Sequence, residues 1–139
     1  MNDQTLEELV TELKTRFLQH VSINSSGYGE AEAMAISKPG FEYPRAYLTV
    51  QPATNQKVGF DLTVVDKVLP DHTNRLDVES RTLEIIRDLV SDMVDKGMLK
   101  FDQEIEYNPT RIISEDSVEG WVTEIELPVK WASSCNKFV

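Results

Sequence analysis

The chain has 139 residues, of which 40% are hydrophobic and 27% charged, the proportions of one ordinary globular domain rather than of a disordered segment. Its 24 acidic and 14 basic residues leave a formal net charge of −10. With no basic cluster to neutralise phosphates, sequence-specific nucleic-acid binding is not expected.

No apolar run approaches the roughly 20 residues needed to cross a bilayer, so no membrane partner is expected. Met1-Asn2-Asp3-Gln4 lacks the basic and apolar regions of a secretory signal. The expectation is a protein kept in a cytoplasm or packed into something assembled there. Cys135 is the only cysteine, which rules out an internal disulfide and argues against a cysteine-based zinc site. His20 and His72 lie far apart without a ligand pattern. No metal or cofactor is expected.

The first predicted element is a helix. Thr5-Leu6-Glu7-Glu8 has capping-box spacing, in which the Thr5 hydroxyl accepts a free backbone N–H and Glu8 reaches back. Leu6, Leu9, Val10, Leu13, Phe17 and Val21 recur at helical steps and mark one apolar face. Glu12 and Arg16 have the spacing of an ion pair on the opposite side. The helix should fade near His20–Val21, with a loop over Ser22–Gly29.

Alternation then predicts strands over Glu30–Lys38, Tyr43–Gln51 and Lys57–Val65, joined by short turns at Pro39-Gly40 and Pro52–Asn55. In the second, Ala46, Leu48 and Val50 fall on one face, and Tyr43, Arg45 and Tyr47 on the other. In the third, Val58, Phe60, Leu62 and Val64 share a face. A second helix opens at Thr73 or Asn74, with Asp77 placed to suit the helix dipole. Its apolar stripe is Leu76, Leu83, Ile86, Leu89, Val90, Met93 and Val94, its exposed pairs are Asp77–Arg81 and Asp92–Lys96, and Gly97 ends it. A strand through Phe101–Tyr107, a loop from Asn108-Pro109 to Gly120, and a long strand through Trp121–Trp131 complete the chain. Residues 132–139 show no pattern and read as a flexible tail on a single 1–139 domain.

The predicted architecture is therefore α+β: one mostly antiparallel, twisted sheet with two helices packed on one face, in the order α-β-β-β-α-β-β. Chemistry is harder to find. The chain has no Gly-x-Ser-x-Gly elbow, no cysteine-protease signature and no phosphate cradle. Asp61, Asp66 and Asp71 match neither a calcium loop nor a two-metal site; Asp61 reads as a solvated strand residue, Asp66 and Asp71 as turn residues. The sequence thus points away from an enzyme, with no catalytic, cofactor or metal residues to name. The residues singled out are contacts: outward-facing Tyr43, Arg45 and Tyr47, the Arg111–Asp116 loop, and Trp131 near the end of the last strand.

The phrase from Val65-Asp66-Lys67 through Asp71-His72-Thr73-Asn74-Arg75-Leu76-Asp77-Val78-Glu79-Ser80-Arg81-Thr82-Leu83-Glu84-Ile85-Ile86-Arg87-Asp88-Leu89 resembles one in uncharacterised virion proteins of tailed phages. These include phages of Bacteroides-type hosts and the crAss-like group. Asp116-Ser117-Val118-Glu119-Gly120-Trp121 is similar to the same proteins, and the two matches lie in the C-terminal half. The order of elements also resembles the tail terminator and tail completion proteins of long-tailed phages, a family that carries no catalytic residue. The resemblance implies a virion protein assembled in a host cytoplasm. It implies a homo-oligomeric neck or tail ring that docks to portal, connector and tail proteins while DNA passes through the lumen. Two other function classes fit the composition: an acidic DNA mimic that inhibits a host nucleic-acid-binding protein, and a small ligand-binding α/β domain.

Overall fold

The computed structural model describes residues 4–29, 42–99, 104–112 and 117–132. Two helices, α1 (Leu6–Phe17) and α2 (Arg75–Asp95), accompany five strands: β1 (Ser25–Tyr28), β2 (Arg45–Ala53), β3 (Lys57–Lys67), β4 (Asn108–Ile112) and β5 (Val118–Pro128). The strands form one mixed sheet in the order β1-β2-β3-β5-β4. β1 runs parallel to β2, and every other neighbouring pair is antiparallel. The fold is α+β, in the chain order expected from the sequence.

α1 forms where its cap and its apolar spacing agree. Thr5 Oγ1 accepts the Glu8 N–H at 3.2 Å and Glu8 Oε1 accepts the Thr5 N–H at 3.1 Å, closing the capping box. Leu9, Leu13 and Phe17 are buried, whereas Leu6 is exposed and Val21 lies beyond the helix end, also exposed. Arg16 does not pair with Glu12. It grips Asp92 of α2 at 2.7 Å, and Glu12 accepts instead from Gln4.

α2 ends as its glycine predicts, with Gly97 at φ +74. Its start is different. Asn74 occupies the N-cap position without a side-chain cap bond, and its Oδ1 accepts the Leu69 N–H at 2.8 Å, so the side chain ties down the preceding turn. Leu76, expected in the apolar stripe, is 78% exposed. The buried stripe is rotated onto Val78, Thr82, Ile85, Ile86, Leu89, Val90 and Met93, a spacing that lets the first turn clear the sheet.

Both helices cover one face of the sheet. α1 lies over β1 and β2, and α2 over β3 and β5. Leu13, Phe17, Ile86 and Met93 meet Leu48, Phe60, Leu62, Ile125 and Leu127 in a single core. The strand alternation supplies these side chains: Val58, Phe60, Leu62 and Val64 on β3 stand opposite Leu127, Ile125, Thr123 and Trp121 on β5. Trp121 reaches across the layer and donates its indole N–H to the Glu79 carbonyl at 2.8 Å, an apolar body with a satisfied polar tip.

Two strands correct the sequence reading. Ser25–Tyr28, expected within a loop, is β1. Its sequence has no apolar alternation, and the strand exists because β2 offers a ladder and side chains anchor it. Ser26 Oγ donates to the Lys14 carbonyl at 3.2 Å, and Asn24 Nδ2 to the Tyr43 carbonyl at 2.8 Å. Asn108–Ile112, also expected as loop, is β4, an end strand of the ordered set where Pro109 is tolerated. Glu104–Tyr107 has no strand structure, although Ile105 and Tyr107 still pack on the core. The predicted strand Glu30–Lys38 lies outside the described residues, apart from which β2, β3 and β5 stand close to their expected positions. Residues 101–103, Cys135 and the 133–139 part of the expected tail also lie outside them.

Candidate interaction surfaces

The second face of the sheet holds three of the residues proposed from sequence as contacts, Tyr43, Arg45 and Tyr47, and it is not simply a solvated surface. Arg45, Tyr47 and Val65 alternate onto it from β2 and β3, and Tyr47, Val65 and Val118 form a small cluster of their own with Tyr43 against it. Tyr47 is 0% and Arg45 4% exposed, so both are buried within the chain, in contrast to the outward placement that alternation suggested. Alternation reports which side of a sheet a residue takes, not whether that side is covered. Arg45 Nη1 donates to Ser25 Oγ at 2.9 Å, and Ser25 Oγ in turn donates to the Glu42 carbonyl. Burial lowers the Arg45 pKa below its ordinary value, with Tyr43 and Tyr47 acting in the opposite direction. Tyr43 is half-buried, with Lys67 Nζ 5.5 Å from its ring centroid, within cation–π range.

The other proposed contacts are distributed elsewhere. Arg111 sits on β4 and points into an ion cluster described below. Asp116 lies outside the described residues. Trp131 is partly buried against the main core, donates its indole N–H to the Thr54 carbonyl at 2.8 Å, and forms an isolated parallel bridge with Gln4. Tyr43, Arg45 and Tyr47 are therefore one group, and Arg111 and Trp131 belong to different parts of the molecule.

Sequence reasoning missed a buried carboxylate that joins three elements. Glu119 has a side chain only 4% exposed, and its Oε1 lies 3.0 Å from Arg75 Nε and 3.1 Å from Arg111 Nε. Those Oε1 contacts are ionic without an aligned hydrogen bond, whereas Oε2 accepts from Arg75 Nε at 3.0 Å. One carboxylate thus joins the start of α2, β5 and β4. Beside it, Arg81 bridges Asp66 at 3.1 Å and Asp77 at 2.9 Å, so Asp66 is a buried strand residue and not the turn residue expected. A signal was available: extending the alternation of Trp121, Thr123, Ile125 and Leu127 back by one step puts Glu119 on the core face.

The turn entering α2 is held by its own side chains. Asp71 Oδ1 accepts from the Thr73 N–H at 3.2 Å and from Thr73 Oγ1 at 2.9 Å. These bonds, the backbone one first, hold the Asp71 carboxyl below its ordinary pKa. His72 takes φ 60, a left-handed conformation uncommon for a residue with a side chain, and its N–H donates to the Leu69 carbonyl at 2.8 Å. Leu69 and Leu76 are exposed on either side of this turn.

Acidic side chains occupy both layers. Glu7, Glu8, Glu12, Asp77, Glu84, Asp88 and Asp95 are exposed on the helices, while Glu124 and Glu126 are exposed on the second face of β5. A hollow of about 430 Å³ on that side is lined by Asp61, Glu104, Glu106, Asn108, Val122 and Glu124. Asp61 is tied by Gln51, whose amide donates to Oδ2 at 2.8 Å. The acids of α2 are largely engaged: Asp77 by Arg81, Glu79 by Arg75, Asp88 by His20 and Asp92 by Arg16. Basic partners are thus interspersed with the acids along this helix face. Among the described residues, the exposed acids fall on both layers.

Among the described residues, no group of three or more His, Cys, Asp or Glu side chains could hold a metal ion, and no helix is long and apolar enough to cross a membrane. Compared with protein-family models and with curated proteins, the chain matches no family and no relative.

Proposed function

We propose that this chain is a structural subunit of a phage neck or tail ring, working through interfaces and not through catalysis. The observation that carries the reading is the two-layer architecture, with both helices on one face of a five-stranded sheet in the order α-β-β-β-α-β-β. The reading takes this order of elements as similar to that of tail terminator and completion proteins, and adds the likeness of the α2 phrase to virion proteins. Acids on both layers mean that the reading rests on architecture and resemblance, not on charge.

A ring needs a heterologous interface, in which one patch of a subunit meets a different patch on the next and the rotation closes. A stable contact of this kind buries roughly 1,200–2,000 Å² in total. The fold offers separate surfaces for it: the second face around Tyr43, the turn bearing Leu69 and Leu76, and the β4 side of the sheet. Docking to portal and tail proteins then uses the ends of the ring, with DNA passing through its centre.

Light scattering and negative-stain microscopy over a concentration series test the proposal directly. The chain is expected to be monomeric when dilute. It is expected to form closed rings at high concentration or when mixed with candidate portal and tail proteins. A chain that stays monomeric at every concentration and salt, with and without those proteins, would overturn the proposal.

A further inference from the structure

His20 stands at the junction of α1, α2 and the turn into β1, and both of its ring nitrogens are engaged. Nε2 lies 2.9 Å from Asp88 Oδ2 on α2, and the backbone N–H of Ser22 donates to Nδ1 at 3.0 Å. Because Nδ1 is the acceptor, the neutral ring must carry its proton on Nε2 and donate it to Asp88. The tautomer is set by the hydrogen-bond network on both sides.

We infer that His20 is a proton-operated latch on the turn that leads from α1 into β1. When the imidazole takes up a proton, both ring nitrogens become donors. At Nε2 the contact with Asp88 becomes a charge-assisted ion pair and tightens. At Nδ1 a new N–H faces the Ser22 N–H, two donors meet, and that hydrogen bond is lost. One proton therefore strengthens the contact of His20 with α2 and releases the bond to Ser22.

Arg16 on α1 and Asp88 and Asp92 on α2 line the groove beside His20. Arg16 is already held by Asp92, with contacts of 2.7 and 2.8 Å from its Nη2. Asp88 is thus the carboxylate left to answer an imidazolium. The turn's other ties lie after Ser22: Ile23 N–H donates to the His20 carbonyl at 3.2 Å, Asn24 N–H to the Pro44 carbonyl at 2.9 Å and Asn24 Nδ2 to the Tyr43 carbonyl at 2.8 Å. Releasing Ser22 loosens the chain just before β1, the strand formed by tertiary anchoring and not by its own sequence pattern. This latch is independent of the ring reading and stands or falls separately.

Imidazole ¹⁵N spectra and amide hydrogen exchange of the full chain, followed from pH 8 to pH 5, test it. At pH 8 the spectra are expected to show the proton on Nε2. On acidification, the Ser22 protection factor, corrected for the intrinsic pH dependence of exchange, should fall by about fivefold to tenfold, the loss of one ordinary hydrogen bond. The α1 and α2 amides should keep their protection. His20→Gln should leave Ser22 weakly protected at every pH and remove the pH dependence. The inference is overturned by a neutral ring protonated on Nδ1, by an imidazole that takes up no proton in this range, or by Ser22 protection that ignores the titration. A pH-dependent Ser22 in His20→Gln would overturn it as well.

Discussion

Gly120→Ala is expected to destabilise the fold by at least about 3 kcal/mol, the upper end of what overpacking normally costs. A methyl group at this position would lie 1.8 Å from the Val64 carbonyl oxygen, 2.8 Å from its carbon and 2.9 Å from Val65 Cα. Each obstacle is backbone of β3, the middle strand of the sheet, so no side-chain rotation relieves the clash. β5 would have to move away from β3. It would carry Val118, Glu119 and Trp121 with it, and so disturb the second-face cluster, the ion cluster and the contact with α2 together. Gly97→Ala provides the control. Gly97 also resists a side chain, because of its φ of +74, but nothing lies within 4 Å of the added methyl. Its cost is therefore conformational, about 1–2 kcal/mol. Urea denaturation of the two variants beside the parent chain measures both values. Equal costs would show that the close approach of β5 to β3 has no energetic weight.

Glu119→Ala should cost about 1–3 kcal/mol. Removing one partner of a fully buried ion pair costs about 3–5 kcal/mol, because the other charge is left stranded. Here the side chains of Arg75 and Arg111 are 46% and 40% exposed and can turn to water, which limits the loss. The remaining penalty comes from releasing β4 and the start of α2 from β5 at one stroke. A double-mutant cycle pairing Glu119→Ala with Arg111→Met should give a coupling of about 1 kcal/mol, within the range for residues in one ionic network. Additive effects would mean that Arg111 and Glu119 do not act together.

These two positions also show which parts of the fold were legible in the sequence. The elements built from side-chain periodicity were plain. The α1 capping box, the alternation of β2, β3 and β5, and the glycine that ends α2 each carry their own local reason. β1 and β4 carry none, since Ser-Ser-Gly-Tyr and Asn-Pro-Thr-Arg-Ile become strands only beside a neighbour's ladder. Leu76 fits a helical stripe, yet the helix rolls so that Val78 and Thr82 face the sheet, a choice made by packing. Alternation puts Arg45 and Tyr47 on the side of β2 that they occupy, yet both are buried there. Periodicity contains no information about what covers a second face. Glu119 was the reverse case, a charge on the core face whose meaning depends on two arginines distant in sequence.

The same distinction applies to function. The α2 phrase reads locally as a capped amphipathic helix, and its side chains account for a turn, a helix and an ion cluster. The likeness to phage virion proteins is an expectation from the sequence, and the ring proposal joins it to the two-layer architecture. Quantitative mass spectrometry of purified particles, produced by cells carrying the genome that encodes this chain, tests that proposal most directly. The account predicts its peptides in intact particles at a fixed ratio to the portal protein, with a copy number matching a single ring. A chain abundant in the infected lysate and absent from the purified particles would contradict it.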